Sequence, residues 1–479
     1  MEWLSVLPPL VAIVIVLWKK DVILALLTAI FSAELLIGSS HHYLALFFAF
    51  VGFIERIISV VSSASNARIL VFSILIGALL AYIRDSGGVT AAVEKLVNKG
   101  IAKSKRQVGS LTVFTGTVIF IESNLSVLTA GLLSRDLFDK FKMSRARLAY
   151  IIDSTSAPIC ILVLLNGWGA YVLALLSNYQ FAQSPISILW GSVAFNFYAI
   201  MALLMVIYTV VTDNVHGPLR DTELALKELP NNDTDTVSVV LKKQAKALAD
   251  FREQTIVPAT KARYMLVPLM TMVISMFVFM YWSGNGDITA GSGSKSVLYA
   301  TCLALAVSYF LLRFSNHFTH KKLVKVGFKG IAELLPLVVI VLLSLTLGAS
   351  LKDLGTGLFI AGIVGEHLPI TFIVPMLFLV GAIISFSTGT SWGTFAILIP
   401  IGVPLIQTLG LPPSLVVAAI LGGGIFGDHC SPISDTTAVS SIASGCDLLE
   451  HVKTQMPYAL FGGVVTLIAY FIASIVLLQ

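Results

Sequence analysis

The fold class this sequence predicts is all-α: a polytopic membrane protein with two inverted repeats, each holding a re-entrant hairpin and a broken transmembrane helix. Three observations carry that prediction. Of the 479 residues, 57% are hydrophobic and only 12% charged, against about 25% charged in soluble domains. Apolar runs of 17 to 27 residues recur along the chain. Such runs are long enough to cross a hydrocarbon core of roughly 30 Å as helices, where backbone groups must bond within helices or a closed barrel. Finally, short polar motifs of the first half return in the same order in the second.

Candidate crossings lie at 3–18, 21–37, 66–84, 148–166, 186–212, 263–283, 296–314, 330–350, 413–426 and 456–478. Trp3 to Trp18 lacks a basic lead and a small-residue cleavage site, so it reads as a first span rather than a cleaved signal. Segment 41–63 carries Glu55 and Arg56 at its middle, which suits an interfacial helix better than a crossing. Asp213 to Ala262 holds eight acidic residues among basic ones and reads as a partly helical cytoplasmic connection, too poor in apolar residues for a domain. The four cysteines form no CxxC pair, so neither a disulfide framework nor a zinc site is indicated. The net charge of +5 belongs to cytoplasmic loops flanking spans. It says nothing about nucleic acid; the expected location is the cytoplasmic (inner) membrane, with no nucleic-acid partner.

Two strongly basic stretches, Lys95 to Arg106 and Arg135 to Arg147, should both face the cytoplasm. Only the 28 residues from Gln107 to Ser134 separate them, and two full crossings need about 40. A hairpin that enters and leaves by one face fits that length, with its tip at Glu122-Ser123-Asn124. Irregular backbone at such depth is tolerated inside the protein or beside water, which makes the tip a candidate site.

The repeat follows from spacing. Arg84-Asp85-Ser86-Gly87 resembles Lys352-Asp353-Leu354-Gly355, and Glu122-Ser123-Asn124 falls opposite Thr390-Ser391-Trp392, both 268 residues apart. Ser156-Ala157-Pro158-Ile159 answers Cys430-Ser431-Pro432-Ile433 after about six extra residues. Paired, interrupted hydrophobic segments of this kind point to a transporter whose site lies where the halves meet. The expected organisation is N-terminal spans with an interfacial helix (1–65), a first repeat (66–212), the cytoplasmic connection (213–262), linking spans (263–329) and a second repeat (330–479). With Arg313 to Lys329 inside, the second hairpin (Ser387 to Ser391) enters from outside, so the repeats are inverted. That assignment requires segment 41–63 not to cross.

Charges within the apolar stretches are few. Glu122 is alone between Gln107 and Ser134, Asp153 between Leu148 and Thr212, and Asp428 and Asp435 between His367 and Gly445. An ionisable residue in lipid is costly and is a functional candidate by default. Asp153-Ser154-Thr155-Ser156-Ala157-Pro158 and Gly427-Asp428-His429-Cys430-Ser431-Pro432 each put a carboxylate, hydroxyls and a proline within six residues. Proline breaks a helix and frees carbonyl oxygens. Together these oxygens suit a hard cation. Against this stands the ordinary role of Ser and Thr in membrane helices, bonding their own backbone. His429 suits a proton-linked switch and a structural hydrogen bond equally well.

G-D-H-C-S-P-I-S-D-T-T, Gly427 to Thr437, closely resembles the signature of the NhaC family of sodium/proton antiporters, and S-T-G-T-S-W-G-T, Ser387 to Thr394, resembles a second motif of that family. The likeness appears over most of the chain. It implies the inverted repeats, paired hairpins and often dimeric, elevator-like scaffolds of the wider ion-transporter superfamily, hence a homodimer. Carried over by residue, it implicates Asp428, Ser431, Asp435, Thr436 and Thr437, with Ser387, Thr390, Ser391 and Thr394 of the second hairpin. Glu122, Ser123, Asn124, Asp153, Ser154 and Ser156 rest on the repeat instead. Sodium is expected at Asp428, Ser431 and Asp153.

The expected function is therefore sodium/proton exchange without a cofactor and without enzyme chemistry. Burial disfavours the charged form of a carboxylate and a bound cation favours it, so competition for one acid couples two gradients. NhaC-like proteins also include carriers of organic acids or amino acids. Asn166 and Trp168 in the stretch Leu165 to Tyr171, with Trp392, suit a solute, which keeps a sodium-coupled amino-acid or small-carboxylate carrier open as the alternative. An intramembrane aspartyl protease would need G-x-G-D, and Ile425 stands at its first glycine.

Overall fold

In the computed structural model the described residues are 2–38, 44–88, 91, 104–120, 122–164, 166–177, 179–228, 260–287, 291–315, 318–357, 359–360, 362 and 368–478. Most of the basic run from Lys95 to Arg106, much of the cytoplasmic connection, and Leu165 lie outside them. Among the described residues there are twenty α-helices and no strand. Ten are long and apolar enough to cross a membrane, counting Arg145–Val163 as one, or eleven with a pair bent by 42°.

The chain opens with α1 (Leu7–Lys19), α2 (Val22–Ile37), α3 (Ala45–Ser62) and α4 (Ala64–Asp85). By length and composition α3 qualifies as a crossing, where the sequence suggested an interfacial helix. Of its two charged residues, Arg56 bonds Glu34 of α2 at 2.8 Å and also Asp353, while Glu55 is exposed.

A first hairpin follows, α5 (Lys105–Val118) and α6 (Ser123–Lys140), then a broken helix, α7 (Arg145–Ser154) and α8 (Ala157–Val163), and the short α9 (Gly167–Leu176). The bent pair is α10 (Pro185–Phe195) and α11 (Phe197–Thr212). An amphipathic helix, α12 (Pro218–Glu228), begins the connection. It is held by buried Leu219 and by Glu223, which accepts from the Ser144 backbone N–H at 2.9 Å. Buried Arg147 ties Asp213 to α7 at 2.7 Å.

The second half runs through α13 (Arg263–Ser283), α14 (Gly293–Arg313) and the long α15 (His320–Asp353). The second hairpin, α16 (Ile373–Thr388) and α17 (Ser391–Leu409), turns in two residues. After it come α18 (Pro413–Cys430), the break at 431–434, α19 (Asp435–Ser444) and α20 (Leu448–Leu477). At about 1.5 Å per residue, the 14-residue α5 falls short of a 30 Å hydrocarbon core, whereas α16 with the short turn before it, Ile370–Thr388, is among the ten.

The two halves share local form where the sequence matched. Both α4 and α15 end at their aspartates, with Gly87 and Gly355 two residues on at φ +71° and +69°. Glu122 and Thr390 are the N-cap residues of α6 and α17, each with its side chain accepting backbone N–H groups. A break of a few residues interrupts α7/α8 and α18/α19 in turn. Helices α4 and α15 cross at Gly77 and Gly330, where a Cβ on either would run into the carbonyl oxygen of the other. Arg84 and Glu333 pair at 2.8 Å beside that crossing. Gly423 and Gly427 on α18 lie so close to the α16 carbonyls of Phe378 and Ala382 that no side chain fits between.

Candidate functional site

The second hairpin turns on Gly389 in the left-handed region (φ +68°), and its tip presses on the Ile433 carbonyl in the α18–α19 break. Thr390 then caps α17, accepting from Gly393 N–H at 3.4 Å, which exposes the first turn of α17 to α18. From that turn Ser391 Oγ donates to Asp428 Oδ2 at 3.1 Å and reaches the Gly424 carbonyl at 3.3 Å. Thr436 Oγ1 donates to the same Oδ2 at 3.4 Å. Asp428 is 1% exposed, and its Oδ1 has no hydrogen-bond partner among the described residues. A buried carboxylate is thus held by one oxygen and bare on the other.

Beside it lies a cavity of about 330 Å³. The first hairpin contributes Glu122, Ser123 and Asn124, the second Thr390 and Trp392, and the break Asp428, Asp435 and Thr436. Helices α4 and α15 close the other side, with Ser73 and Glu333 among their residues, and α9 adds Trp168 and Tyr171. The tips of both hairpins and the second broken helix therefore meet at one place.

The remaining predicted residues have identifiable work. Glu122 spends both oxygens on backbone N–H groups, those of Asn124 at 3.0 Å and Leu125 at 2.6 Å. Asn124 lies against the Asp435 carboxylate, joining the first hairpin to α19. Ser431 donates to the Phe386 carbonyl at 2.7 Å and Thr437 reaches the Asp428 carbonyl at 3.4 Å. Ser156, in the α7–α8 break, donates to the Asp153 carbonyl at 2.9 Å, and Thr394 bonds back to the Thr390 carbonyl. Ser154 is buried and Ser387 half-buried, and neither lines the cavity. Asn166 does not line this cavity either, although it borders a separate, smaller one. It caps α9 through the Trp168 and Gly169 N–H groups and donates to the Phe120 and Cys160 carbonyls, both at 2.8 Å.

Asp153 is bound elsewhere. It is fully buried and accepts from Ser440 Oγ at 3.2 Å and Gln455 Nε2 at 2.6 Å, with His451 Nε2 at 3.4 Å. Gln455 also donates to the His429 carbonyl at 3.0 Å, and the His429 ring meets Tyr198 Oη at 3.0 Å. Neither Asp153 nor Ser431 lines the cavity beside Asp428; their side chains bond elsewhere. His451, Gln455 and Tyr198 escaped the sequence reading because nothing local marks them. Tyr171 and Ser73 are cavity residues for which spacing gave no role. Ser434, which caps α19 through the Thr437 N–H, was legible as the serine three residues before it.

Comparison with known proteins supplies the context. The model of the Na+/H+ antiporter family matches residues 148–475. An uncharacterized protein of Haemophilus influenzae is 29% identical over 98% of this chain and 90% of its own length. The malate-2H(+)/Na(+)-lactate antiporter of Bacillus subtilis is 36% identical over 35% of this chain and 36% of its own. The Na(+)/H(+) antiporter NhaC of Alkalihalophilus pseudofirmus is 33% identical over 19% and 20%. Among solved structures, MtrF of Neisseria gonorrhoeae superposes with a TM-score of 0.57 at 15% identity, covering 89% of this chain and 84% of that one. That likeness concerns the fold.

Proposed function

Because this chain belongs to the Na+/H+ antiporter family, we propose that it exchanges sodium for protons by letting the two compete for the carboxylate of Asp428. The observation that carries this reading is the bare Oδ1 of Asp428 beside the cavity. A buried acceptor without a partner costs about 1–3 kcal/mol, more when charged. A sodium ion or a proton on that oxygen removes the cost, and one oxygen does not serve both. The hydroxyls of Ser391 and Thr436 hold the other oxygen and offer further ligands to a hard cation.

In this reading α3 lies along the membrane surface instead of crossing, the two halves are inverted repeats in the cytoplasmic membrane, and the hairpins enter from opposite faces. Only the occupied site reorients, with the hairpins and broken helices moving against α4 and α15. The matched N-caps Glu122 and Thr390 and the matched ends of α4 and α15 support the repeat. A homodimeric scaffold belongs to the same proposal.

The test is sodium-driven proton movement in proteoliposomes carrying a pH dye. Asp428→Asn should abolish the exchange while the purified protein keeps its melting behaviour. Exchange near the normal rate would remove Asp428 from the site.

A second reading, a sodium-coupled carrier of an amino acid or small carboxylate, is favoured by the cavity. Trp168, Trp392 and Tyr171 pack ring against ring, at 5.0 and 4.8 Å from Trp392, beside more space than an ion needs. Uptake of labelled solute driven by a sodium gradient separates the two readings.

A further inference from the structure

The cavity wall has a consistent chemical bias. Two of its residues, Asp428 and Asn124, keep a buried polar atom without a partner among the described residues, and both atoms are acceptors, Asp428 Oδ1 and Asn124 Oδ1. The wall holds four carboxylates, Glu122, Glu333, Asp428 and Asp435, and among the described lining residues no Lys, Arg or His. Glu333 is neutralised by Arg84, and Glu122 by the backbone of α6. Asp428 and Asp435 are left as the acids facing the space.

The helix ends do not reverse that bias. Four helices of eight or more residues begin near the cavity, α6, α9, α17 and α19, and such termini ordinarily favour anions. Here the side chains of Glu122, Asn166, Thr390 and Ser434 already take up first-turn N–H groups. A solute carboxylate would thus bring acceptors to a wall that needs donors. The opposite face is aromatic, with Trp168, Tyr171 and Trp392 in one cluster, and aromatic faces attract cations. The volume of about 330 Å³ is at the lower end of small-molecule pockets, roughly 300–1,000 Å³.

We infer that this cavity receives an organic ammonium or guanidinium cation, its charged end at Asp435, Asn124 and Asp428 and its body against Trp168, Tyr171 and Trp392. This rests on the reading of Asp428 as the group that carries cations, and it sets the solute apart from the small carboxylates of the second reading. An amine at Asp428 satisfies the same bare oxygen as sodium, so it exchanges against sodium or protons.

The experiment uses the full chain in proteoliposomes, with labelled agmatine and putrescine as amine probes and labelled malate and lactate as anionic ones. Agmatine or putrescine should be taken up under a sodium or proton gradient at least about tenfold above malate and lactate, and should inhibit sodium-driven proton flux. Trp392→Ala should weaken the apparent affinity for the amine about tenfold, and Trp392→Tyr should restore most of it. Preferential uptake of malate or lactate would overturn the inference. So would the failure of both amines to bind or move while exchange sensitive to Asp428→Asn persists, an outcome that leaves the antiport reading standing. If the wild-type chain shows no sodium-driven proton flux, the antiport reading fails, and labelled amine uptake still decides the solute class.

Discussion

Ser391 Oγ donates to Asp428 Oδ2 across 3.1 Å, tying the tip of the second hairpin to the acid in the last turn of α18. The bond joins two elements 37 residues apart in sequence and fixes which carboxylate oxygen stays free. Ser391→Ala removes a hydrogen bond to a charged group, worth about 1.5–3 kcal/mol. The expected result is a rise of about tenfold or more in the sodium concentration for half-maximal exchange, with the protein still folded. Sodium titrations of proton flux measure it.

Gly389 sets the height of that tip. Its φ of +68° is one that side chains disfavour, and an added Cβ would meet the Ile433 carbonyl. Gly410 has nearly the same φ, +67°, with nothing within 4 Å of its Cβ position. Gly410→Ala should therefore cost about 1 kcal/mol for backbone alone, and Gly389→Ala a further 1–3 kcal/mol or so for overpacking. Thermal melts in detergent compare the two. Transport should fall only in Gly389→Ala.

Asn166 was legible as a polar residue in an apolar stretch, but its environment assigns it a structural task. Asn166→Ala loses the cap of α9 and strips donors from the Phe120 and Cys160 carbonyls. A lost cap costs about 0.5–2 kcal/mol and each lost hydrogen bond about 0.5–1.5 kcal/mol, since Cys160 Sγ and the Leu164 N–H still reach those two carbonyls. The variant should melt well below the wild type, and whatever fraction remains folded should keep the wild-type order of solute preference in uptake assays.

The sequence and the structure agree most closely where backbone is interrupted. Glu122 and Thr390, 268 residues apart, are both N-caps, because a polar acceptor just before an apolar run is the local chemistry that starts a helix. The break after Asp428 was readable from Ser431 and Pro432 for the same local reason. Partnerships between distant segments were not readable. Asp153 stands in a motif much like that of Asp428, yet it binds Gln455 and His451 of α20, about three hundred residues away. Arg56 of segment 41–63 likewise pairs with Glu34 and Asp353, a partnership that spacing does not reveal.

The competition at Asp428 is tested most directly by the pH dependence of sodium affinity in proteoliposomes. A proton and a sodium ion sharing Oδ1 predict that, as pH falls through the titration of the site, half-maximal exchange needs about tenfold more sodium per pH unit. The maximal rate at saturating sodium should stay constant. A sodium affinity that does not move with pH, while the maximal rate does, would contradict it.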